Sequence, residues 1–242
     1  MPRFFVKNEQ IEGDVIRLFG DDARHIARSL RMAVGDGLTV SDGEGTDYIC
    51  RLERIRDEEC VLSVVGTEAS GAESPVSVTL YMAYPKGDKL EVVIQKAVEL
   101  GADRIVPFES SRCIKRPKAE KLDRQLARLT RIAEEAAKQC GRAKLPTVGA
   151  PLSYREMLRE AVGADRALLC YEAEDGLTLK GALARELGTL SVIVGSEGGF
   201  SPEEVDEARA AGVVSVSLGR RILRCETAPS FVLSAISYEF EL

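Results

Sequence analysis

A regular alternation of strand-like and helix-like segments from Val76 onward constrains the fold of this chain more than any other feature of its sequence. Short apolar runs alternate with segments that carry apolar residues at helical spacing, an order that favours an α/β fold with a mostly parallel sheet. Strands are predicted at 78–83, 104–108, 167–171, 190–194 and 213–218. Helices are predicted at 89–100, 119–140 and 230–240, and a fourth begins at the capping sequence Ser201-Pro202-Glu203-Glu204.

The first 70 residues follow a different pattern, in which brief apolar or alternating runs are separated by turns rich in glycine and aspartate. Strands are predicted at 4–6, 15–18, 38–41, 48–52 and 61–65. Several short strands with one helix favour a small β-barrel. Residues 67–75 are small and polar, which is typical of linkers. The predicted division is therefore a β-barrel domain at 1–70, a linker at 71–75 and an α/β domain at 76–242.

One helix interrupts the strands of the first domain. Asp21 or Asp22 is predicted to cap this helix, and Ile26, Leu30 and Ala33 are predicted to share its buried face. Such spacing is typical of an amphipathic helix that packs on a sheet.

The single histidine, His25, argues against several classes of enzyme. A Ser-His-Asp or Cys-His nucleophilic system would depend on that one residue, and no G-x-S-x-G sequence accompanies it. The chain also lacks a phosphate-binding P-loop sequence, which argues against ATP or GTP hydrolysis. The six cysteines contain no C-x-x-C pair, so they predict neither a zinc site nor a disulfide framework.

The sequence predicts a cytoplasmic protein with no membrane partner. No apolar run approaches the roughly 20 residues of a membrane helix, and the first ten residues lack the apolar core of a signal peptide. The net charge is −6, yet residues 112–144 contain eleven basic and four acidic side chains, a local net charge of +7. This segment is either a phosphate-binding surface or a solvated helix face.

Two glycine-bearing loops are the best candidates for a ligand site. The predicted strand at 190–194 runs into Gly195-Ser196-Glu197-Gly198-Gly199, where missing Cβ atoms allow a ligand to approach the backbone. Open α/β sheets bind ligands at that end of their strands. An ordinary tight turn is the alternative. A dinucleotide-binding site fits poorly, because the pattern is G-x-x-G-G and Leu218-Gly219 stands where the acidic residue is expected.

The second loop, 218–228, combines apolar residues suited to an adenine ring with arginines. Leu218, Ile222 and Leu223 supply the apolar surface, and Arg224 is placed to face a phosphate or an electron-rich base. Arginines next to a turn are otherwise usually exposed to solvent. Two glycine-bearing strand ends in neighbouring βα units are harder to explain as turns alone.

Six blocks of sequence, spread over essentially the whole chain, resemble the bacterial RsmE family of ribosomal RNA methyltransferases, which belongs to the SPOUT class. These blocks are MPRFF at the N-terminus and those at 25–31, 86–108, 131–142, 194–204 and 218–228. The last two, VGSEGGFSPEE and LGRRILRCETA, are the most specific. The family more commonly has proline in place of Ser196 and threonine in place of Cys225.

The resemblance implies a PUA-like β-barrel followed by an α/β sheet with a C-terminal trefoil knot. It also implies S-adenosyl-L-methionine as cofactor, N3 of one uridine in small-subunit (16S) ribosomal RNA as target, and a homodimer with the target base near the dimer interface. Because the uridine N3 proton is retained at neutral pH, either a carboxylate removes it or a cation stabilises the uridylate. The residues expected to act in catalysis are Arg224, Glu197 and Glu226, and the choice between the two carboxylates stays open.

The remaining expected site residues fall into two groups. Those expected to bind the cofactor are Tyr171, Val194, Gly195, Glu197, Gly198, Gly199, Leu218, Gly219, Ile222, Leu223, Thr227 and Ala228. Those expected to contact RNA are Arg3, His25, Arg28, Arg31, Lys86, Arg112 and Arg142. No metal ligands are expected.

Three functions are consistent with these observations. The first is the uridine N3 methyltransferase, with methylation at another position, such as a ribose hydroxyl, as a variant of it. The second is an RNA-binding or ribosome assembly factor without catalysis, which the intact loop glycines and Arg224 disfavour. The third is a nucleotide-dependent oxidoreductase, which the identity of the cofactor would separate from the others.

Overall fold

The structure, a computed structural model, describes residues 1–56, 58–114, 119–183 and 187–242. Lys115, Arg116 and Lys118 of the basic segment lie outside the described residues. The chain forms two compact units, one made of Met1–Glu73 with Ala137–Leu145 and the other of Ser74–Ala136 with Pro146–Leu242.

The first unit is built on a curled sheet, which contains six strands among the described residues. Its strands are Arg3–Phe5 (β1), Ile11–Glu12 (β2), Val15–Phe19 (β3), Gly37–Ser41 (β4), Thr46–Ile55 (β5) and Glu59–Ala69 (β6). Their order is β1-β4-β5-β6-β3-β2, and every neighbouring pair is antiparallel except β1 with β4. The five strands predicted in this region are confirmed. The first is shifted by one residue, the other four are longer than predicted, and the two-residue β2 is an addition.

The core of this unit lies on one face of the curled sheet. Alternate residues of neighbouring strands are fully buried there, as Ile16 and Leu18 of β3 and Leu62 of β6 show. Period-two burial is expected of a sheet with one solvated face. Each such side chain contributes about 1.5–3 kcal/mol through the surface it removes from water.

The helix predicted after β3 is shorter than expected. It comprises Gly20–Arg24 (α1) and a π-helical turn at His25–Ser29. Ile26 is buried as predicted, but Leu30 is 38% exposed and Ala33 is also exposed, so their placement on a buried face is wrong. The reason is that the chain leaves the helix at Arg31, whose φ of +51° is left-handed.

The second unit contains a parallel sheet, with seven strands among the described residues. The strands are Ser77–Ala83 (β7), Ala102–Glu109 (β8), Thr147–Val148 (β9), Leu152–Ser153 (β10), Arg166–Cys170 (β11), Thr189–Val194 (β12) and Val214–Val216 (β13). Six of them follow the order β10-β8-β7-β12-β11-β13, and β9 pairs with β8. The predicted parallel α/β fold is confirmed.

Helices follow most of these strands. They are Lys89–Glu99 (α2), Leu122–Cys140 (α3), Tyr154–Ala161 (α4), Leu179–Leu183 (α5), Pro202–Ala210 (α6) and Thr227–Glu241 (α7). The predicted capping box of α6 is present, since the Ser201 hydroxyl accepts from Glu204 N while the Glu204 carboxylate accepts from Ser201 N. Among the described residues, no helix combines the length and apolar character needed to cross a bilayer.

The register of the sheet aligns the ends of three strands. Cys170, the last residue of β11, lies opposite Val194 of β12 on one side and Val216 of β13 on the other. The loops that leave these strands therefore meet at one edge of the sheet, where α/β folds bind ligands. The strands are mostly apolar, and Leu190, Val192 and Val194 are at most 3% exposed, as is typical of parallel strands covered on both faces.

Candidate functional site

A cavity of about 470 Å³ opens beyond the aligned ends of β11, β12 and β13. This volume is within the range of pockets that bind small molecules. The lining residues come from three loops and from the start of α2. They are Lys89, Cys170, Tyr171, Glu172, Val194, Gly195, Ser196, Glu197, Gly199, Phe200, Leu218, Gly219, Arg220, Arg221, Ile222, Leu223, Arg224, Cys225, Glu226 and Ala228.

The loop between β12 and α6 is a tight turn that depends on its glycines. Gly199 N donates to the Ser196 carbonyl at 2.9 Å. A Cβ on Gly195 would stand 3.2 Å from the Gly199 Cα, and Gly199 itself has a φ of +61°. A side chain on Gly195 would spread the turn, whereas a Cβ on Gly199 would stand 2.5 Å from the Glu172 carboxylate on a left-handed backbone, so both positions favour glycine.

Gly198 faces away from the cavity and packs against the segment that follows β8. A Cβ on Gly198 would lie 2.9 Å from Arg112 Cβ and 3.2 Å from the Arg112 carbonyl oxygen. The Arg112 guanidinium donates to the Gly198 carbonyl at 3.0 Å, and Ser111 N donates to the Glu204 carboxylate at 2.7 Å. This segment therefore supports the loop from outside.

The loop between β13 and α7 forms the opposite wall. Gly219, with a φ of +107°, turns the chain after β13. The Arg224 carbonyl accepts from Thr227 N at 2.8 Å and from Ala228 N at 3.0 Å, so this residue closes the first turn of α7 through its backbone. The Arg224 side chain is exposed at the cavity and makes no hydrogen bond or ion pair with any residue that the structure describes.

The two walls are joined by Lys89, the first residue of α2. Its ammonium lies 3.0 Å from the Glu197 carboxylate and 3.1 Å from the Glu226 carboxylate. Glu197 also accepts from the backbone N–H of Lys86, at 3.1 and 3.3 Å to its two oxygens. The Cys225 thiol is 3.3 Å from the Glu226 carboxylate.

These contacts fix the charges of the cavity. Burial opposes ionisation of Glu197, but hydrogen bonds from Lys89 and backbone N–H groups still hold its pKa below the usual value. The pKa of Glu226 is lowered by its own backbone N–H and by Lys89. Hydrogen bonds to both carboxylates raise the pKa of Lys89. All three groups are charged at neutral pH, and burial raises the pKa of the Cys225 thiol to about 12.

Comparison with known proteins identifies the family. The RNA methyltransferase domain family matches residues 72–237, and the RNA methyltransferase PUA domain family matches residues 18–65. A ribosomal RNA small subunit methyltransferase E of Bacillus subtilis is 33% identical over 100% of this chain and 98% of its own length. The chain belongs to this RNA methyltransferase family.

Two further family members agree. A ribosomal RNA small subunit methyltransferase E of Synechocystis is 35% identical over 97% of this chain and 77% of its own. The crystal structure of that methyltransferase from Neisseria gonorrhoeae, bound to S-adenosyl methionine, superposes with a TM-score of 0.89, 30% identity, and coverage of 99% and 98%. The resemblance to the RsmE family is confirmed.

The structure brings most of the expected site residues of this methyltransferase together. Arg224, Glu197 and Glu226 all line the cavity, as do ten of the twelve residues expected to bind the cofactor. Gly198 and Thr227 do not line it. Gly198 supports the loop from behind, and Thr227 begins α7, with its N–H bonded to the Arg224 carbonyl.

The residues expected to contact RNA differ in their exposure and in their partners. Arg3 forms a two-fold ion pair with the buried Asp47, and Arg142, 3% exposed, pairs with Glu73 at 2.9 Å. Such contacts favour a structural role for both arginines. His25, Arg28 and Arg31 are exposed on the first unit, while Lys86 is exposed and Arg112 holds Gly198 on the second.

Sequence reasoning missed two charged residues of the cavity. One feature of the sequence could have identified Lys89. A cation at the first position of a helix interacts unfavourably with the helix dipole, so a compensating acidic partner is expected. Glu172 follows β11 and lines the cavity, and it makes no hydrogen bond or ion pair with the residues that the structure describes. Across the described ranges, no group of three or more His, Cys, Asp or Glu could hold a metal ion.

Proposed function

We propose that this protein transfers a methyl group from S-adenosyl-L-methionine to N3 of a uridine in small-subunit ribosomal RNA. The observation that carries the proposal is the cavity at three aligned strand ends, with an exposed arginine at its wall that has no partner among the described residues. Membership of the methyltransferase family supports the reaction class, and the names of the relatives support the substrate.

The residues present fit the cofactor. The cavity offers apolar surface from Val194, Leu218 and Leu223 for an adenine ring, and a glycine turn that exposes backbone groups. Charged groups of both signs also line it, as a ligand with positive and negative groups requires. The sulfonium of S-adenosyl-L-methionine, when bound, supplies an electrophilic methyl group.

The protein must then hold the base in its reactive form. We assign to Arg224 the stabilisation of the uridylate anion, because its guanidinium is charged and has no competing carboxylate among the described residues. Glu197 and Glu226 are poor candidates for the general base, since their pKa values are lowered and their oxygens already bind Lys89. Both carboxylates instead hold their loops in place, and the proton passes to solvent.

The two units divide the work in this proposal. The second unit binds the cofactor and the target base, and the first unit binds RNA, in agreement with the PUA domain match.

A homodimer is supported by Phe231 and Tyr238 of α7, which lie two turns apart on one face and are 42% and 72% exposed. We also propose the C-terminal trefoil knot that the resemblance to the family implies, with which the strand order β7-β12-β11-β13 is compatible. A ribosomal RNA substrate would place the protein in the cytoplasm.

The proposal is tested by methyl transfer from labelled S-adenosyl-L-methionine to ribosomal RNA and to small subunits from a deletion strain, followed by nucleoside mass spectrometry. The expected product is 3-methyluridine. A methylated ribose would move the target to another position. Cofactor binding without transfer to either substrate would favour the assembly factor, and failure to bind the cofactor would end the proposal.

Replacing Arg31 with glycine should stabilise the protein while weakening RNA binding. A non-glycine residue in the left-handed region costs about 1–2 kcal/mol, so Arg31→Gly is expected to raise the free energy of unfolding by about 1 kcal/mol. Loss of one phosphate contact should lower the slope of log K against log salt by about 0.7. Denaturant unfolding and salt-dependent RNA titration measure the two effects.

Arg31→Lys is the matched control for this prediction, because it keeps both the charge and the left-handed backbone. We expect its stability and its salt slope to stay near those of the wild type. Unchanged RNA binding by Arg31→Gly would remove Arg31 from the RNA surface.

A further inference from the structure

We propose that Lys89 is the positioning residue that holds the two cofactor loops of this site together. The inference rests on the proposed function, because it concerns how the methyltransferase site is assembled. Lys89 contributes one ammonium to two carboxylates, Glu197 on the β12–α6 loop and Glu226 at the start of α7. We call these three residues the loop clamp.

The position of Lys89 in α2 supports a specific role for its charge. It is the first residue of the helix, directly after Asp88, where the dipole favours an acidic side chain and disfavours a cation. Two carboxylates within 3.1 Å offset this unfavourable placement. A lysine that was only a solvated surface residue would destabilise the helix at this position without any compensating contact.

Partial burial makes the loop clamp stronger than an ordinary surface ion pair. The side chains of Lys89, Glu197 and Glu226 are 32%, 27% and 25% exposed. Surface pairs contribute little because water screens them, whereas removing one partner of a partly buried cluster leaves charge without compensation. Loss of Lys89 would leave two carboxylates that repel each other across the cavity.

The contacts around the loop clamp extend its effect to both walls. Glu197 also accepts from Lys86 N, so the segment that leads into α2 and the first residue of α2 together hold this loop at two points. On the other wall Lys89 lies 3.9 Å from the Cys225 thiol, and the neighbouring Arg224 carbonyl binds the first N–H groups of α7. The loop clamp therefore fixes the backbone that presents Arg224 to the cavity.

Calorimetric titration with S-adenosyl-L-methionine tests the proposal. Lys89→Met should lose about tenfold or more in affinity, and adding Glu226→Gln to that variant should recover part of the loss by removing the uncompensated charge. Lys89→Arg should stay closer to the wild type, because it can still bridge two carboxylates. Lys96→Met is the matched control, since Lys96 pairs with Glu99 on the same helix away from the cavity.

Hydrogen exchange in the ligand-free protein gives a second readout that does not depend on the cofactor. The amides of Gly199, Thr227 and Ala228 are hydrogen-bonded within the two loops, and Lys89→Met should speed their exchange while Lys96→Met leaves it unchanged. Wild-type affinity and exchange in Lys89→Met would overturn the inference, as would a failure of Glu226→Gln to recover affinity. If the wild type itself did not bind the cofactor, the proposed function would fall, and exchange alone would decide the loop clamp.

Discussion

Arg224→Ala is expected to lower kcat about 10²–10³-fold, the usual cost of removing one group that stabilises developing negative charge. Affinity for S-adenosyl-L-methionine should change much less, because the substitution leaves the Arg224 carbonyl, and with it the first turn of α7, in place. Single-turnover methyl transfer and calorimetric titration of the cofactor measure the two effects separately.

Arg220→Ala is the control for this prediction, since Arg220 also lines the cavity and is exposed in the same loop. If both variants lose kcat equally, the loop supplies a general positive potential and Arg224 has no special role. An equal loss of kcat and cofactor affinity in Arg224→Ala would also contradict its assignment, because it would place the guanidinium against the cofactor.

The ends of strands and the starts of helices near the cavity could be predicted from the sequence because they depend on local patterns. The apolar run at 190–194 and the glycines after it predict a strand that ends at a ligand site. The strand is present as β12, and the loop after it lines the cavity. The capping box at Ser201 likewise fixed the start of α6. The same signal, Ser153 with Glu156, is present at the start of α4, a helix that is not among those predicted.

Contacts between distant parts of the chain could not be predicted from the sequence. Lys89 meets carboxylates more than 100 residues further along, and no local pattern specifies that the start of α2 lies beside both loops. The ion pairs of Arg3 and Arg142 are contacts of the same long-range kind. Both arginines are expected to contact RNA, and the structure pairs Arg3 with the buried Asp47 and Arg142 with the partly buried Glu73.

The glycines of the β12–α6 loop show the same limit of prediction from sequence. The sequence predicts one cofactor-binding turn that contains Gly195, Gly198 and Gly199. The structure shows that each position requires glycine for a different reason. Gly195 allows the turn to close on Gly199, and Gly199 adopts a left-handed φ beside the Glu172 carboxylate. Gly198 is needed because Arg112 packs against its outer side. Only the packing of the segment after β8 distinguishes these roles.

Gly198→Ala is therefore expected to weaken cofactor binding without entering the cavity. The new methyl group would stand 2.9 Å from Arg112 Cβ and 3.2 Å from the Arg112 carbonyl oxygen, and backbone atoms cannot move aside as a flexible side chain can. Overpacking of this kind costs about 1–3 kcal/mol, and the β12–α6 loop must shift inward or the segment after β8 must shift outward. We expect a loss of about tenfold or more in affinity for S-adenosyl-L-methionine, since a small displacement of a binding loop is costly.

The control is Gly66→Ala in β6, where an added Cβ would meet no atom within 4 Å and φ is not positive. Its stability should equal or slightly exceed that of the wild type, because alanine restricts the unfolded chain. The double variant Gly198→Ala with Arg112→Gly removes the Arg112 Cβ and should recover affinity in part. Wild-type affinity in Gly198→Ala would show that the loop tolerates displacement, and it would then be the clamp at Lys89 rather than the support from Arg112 that fixes the site.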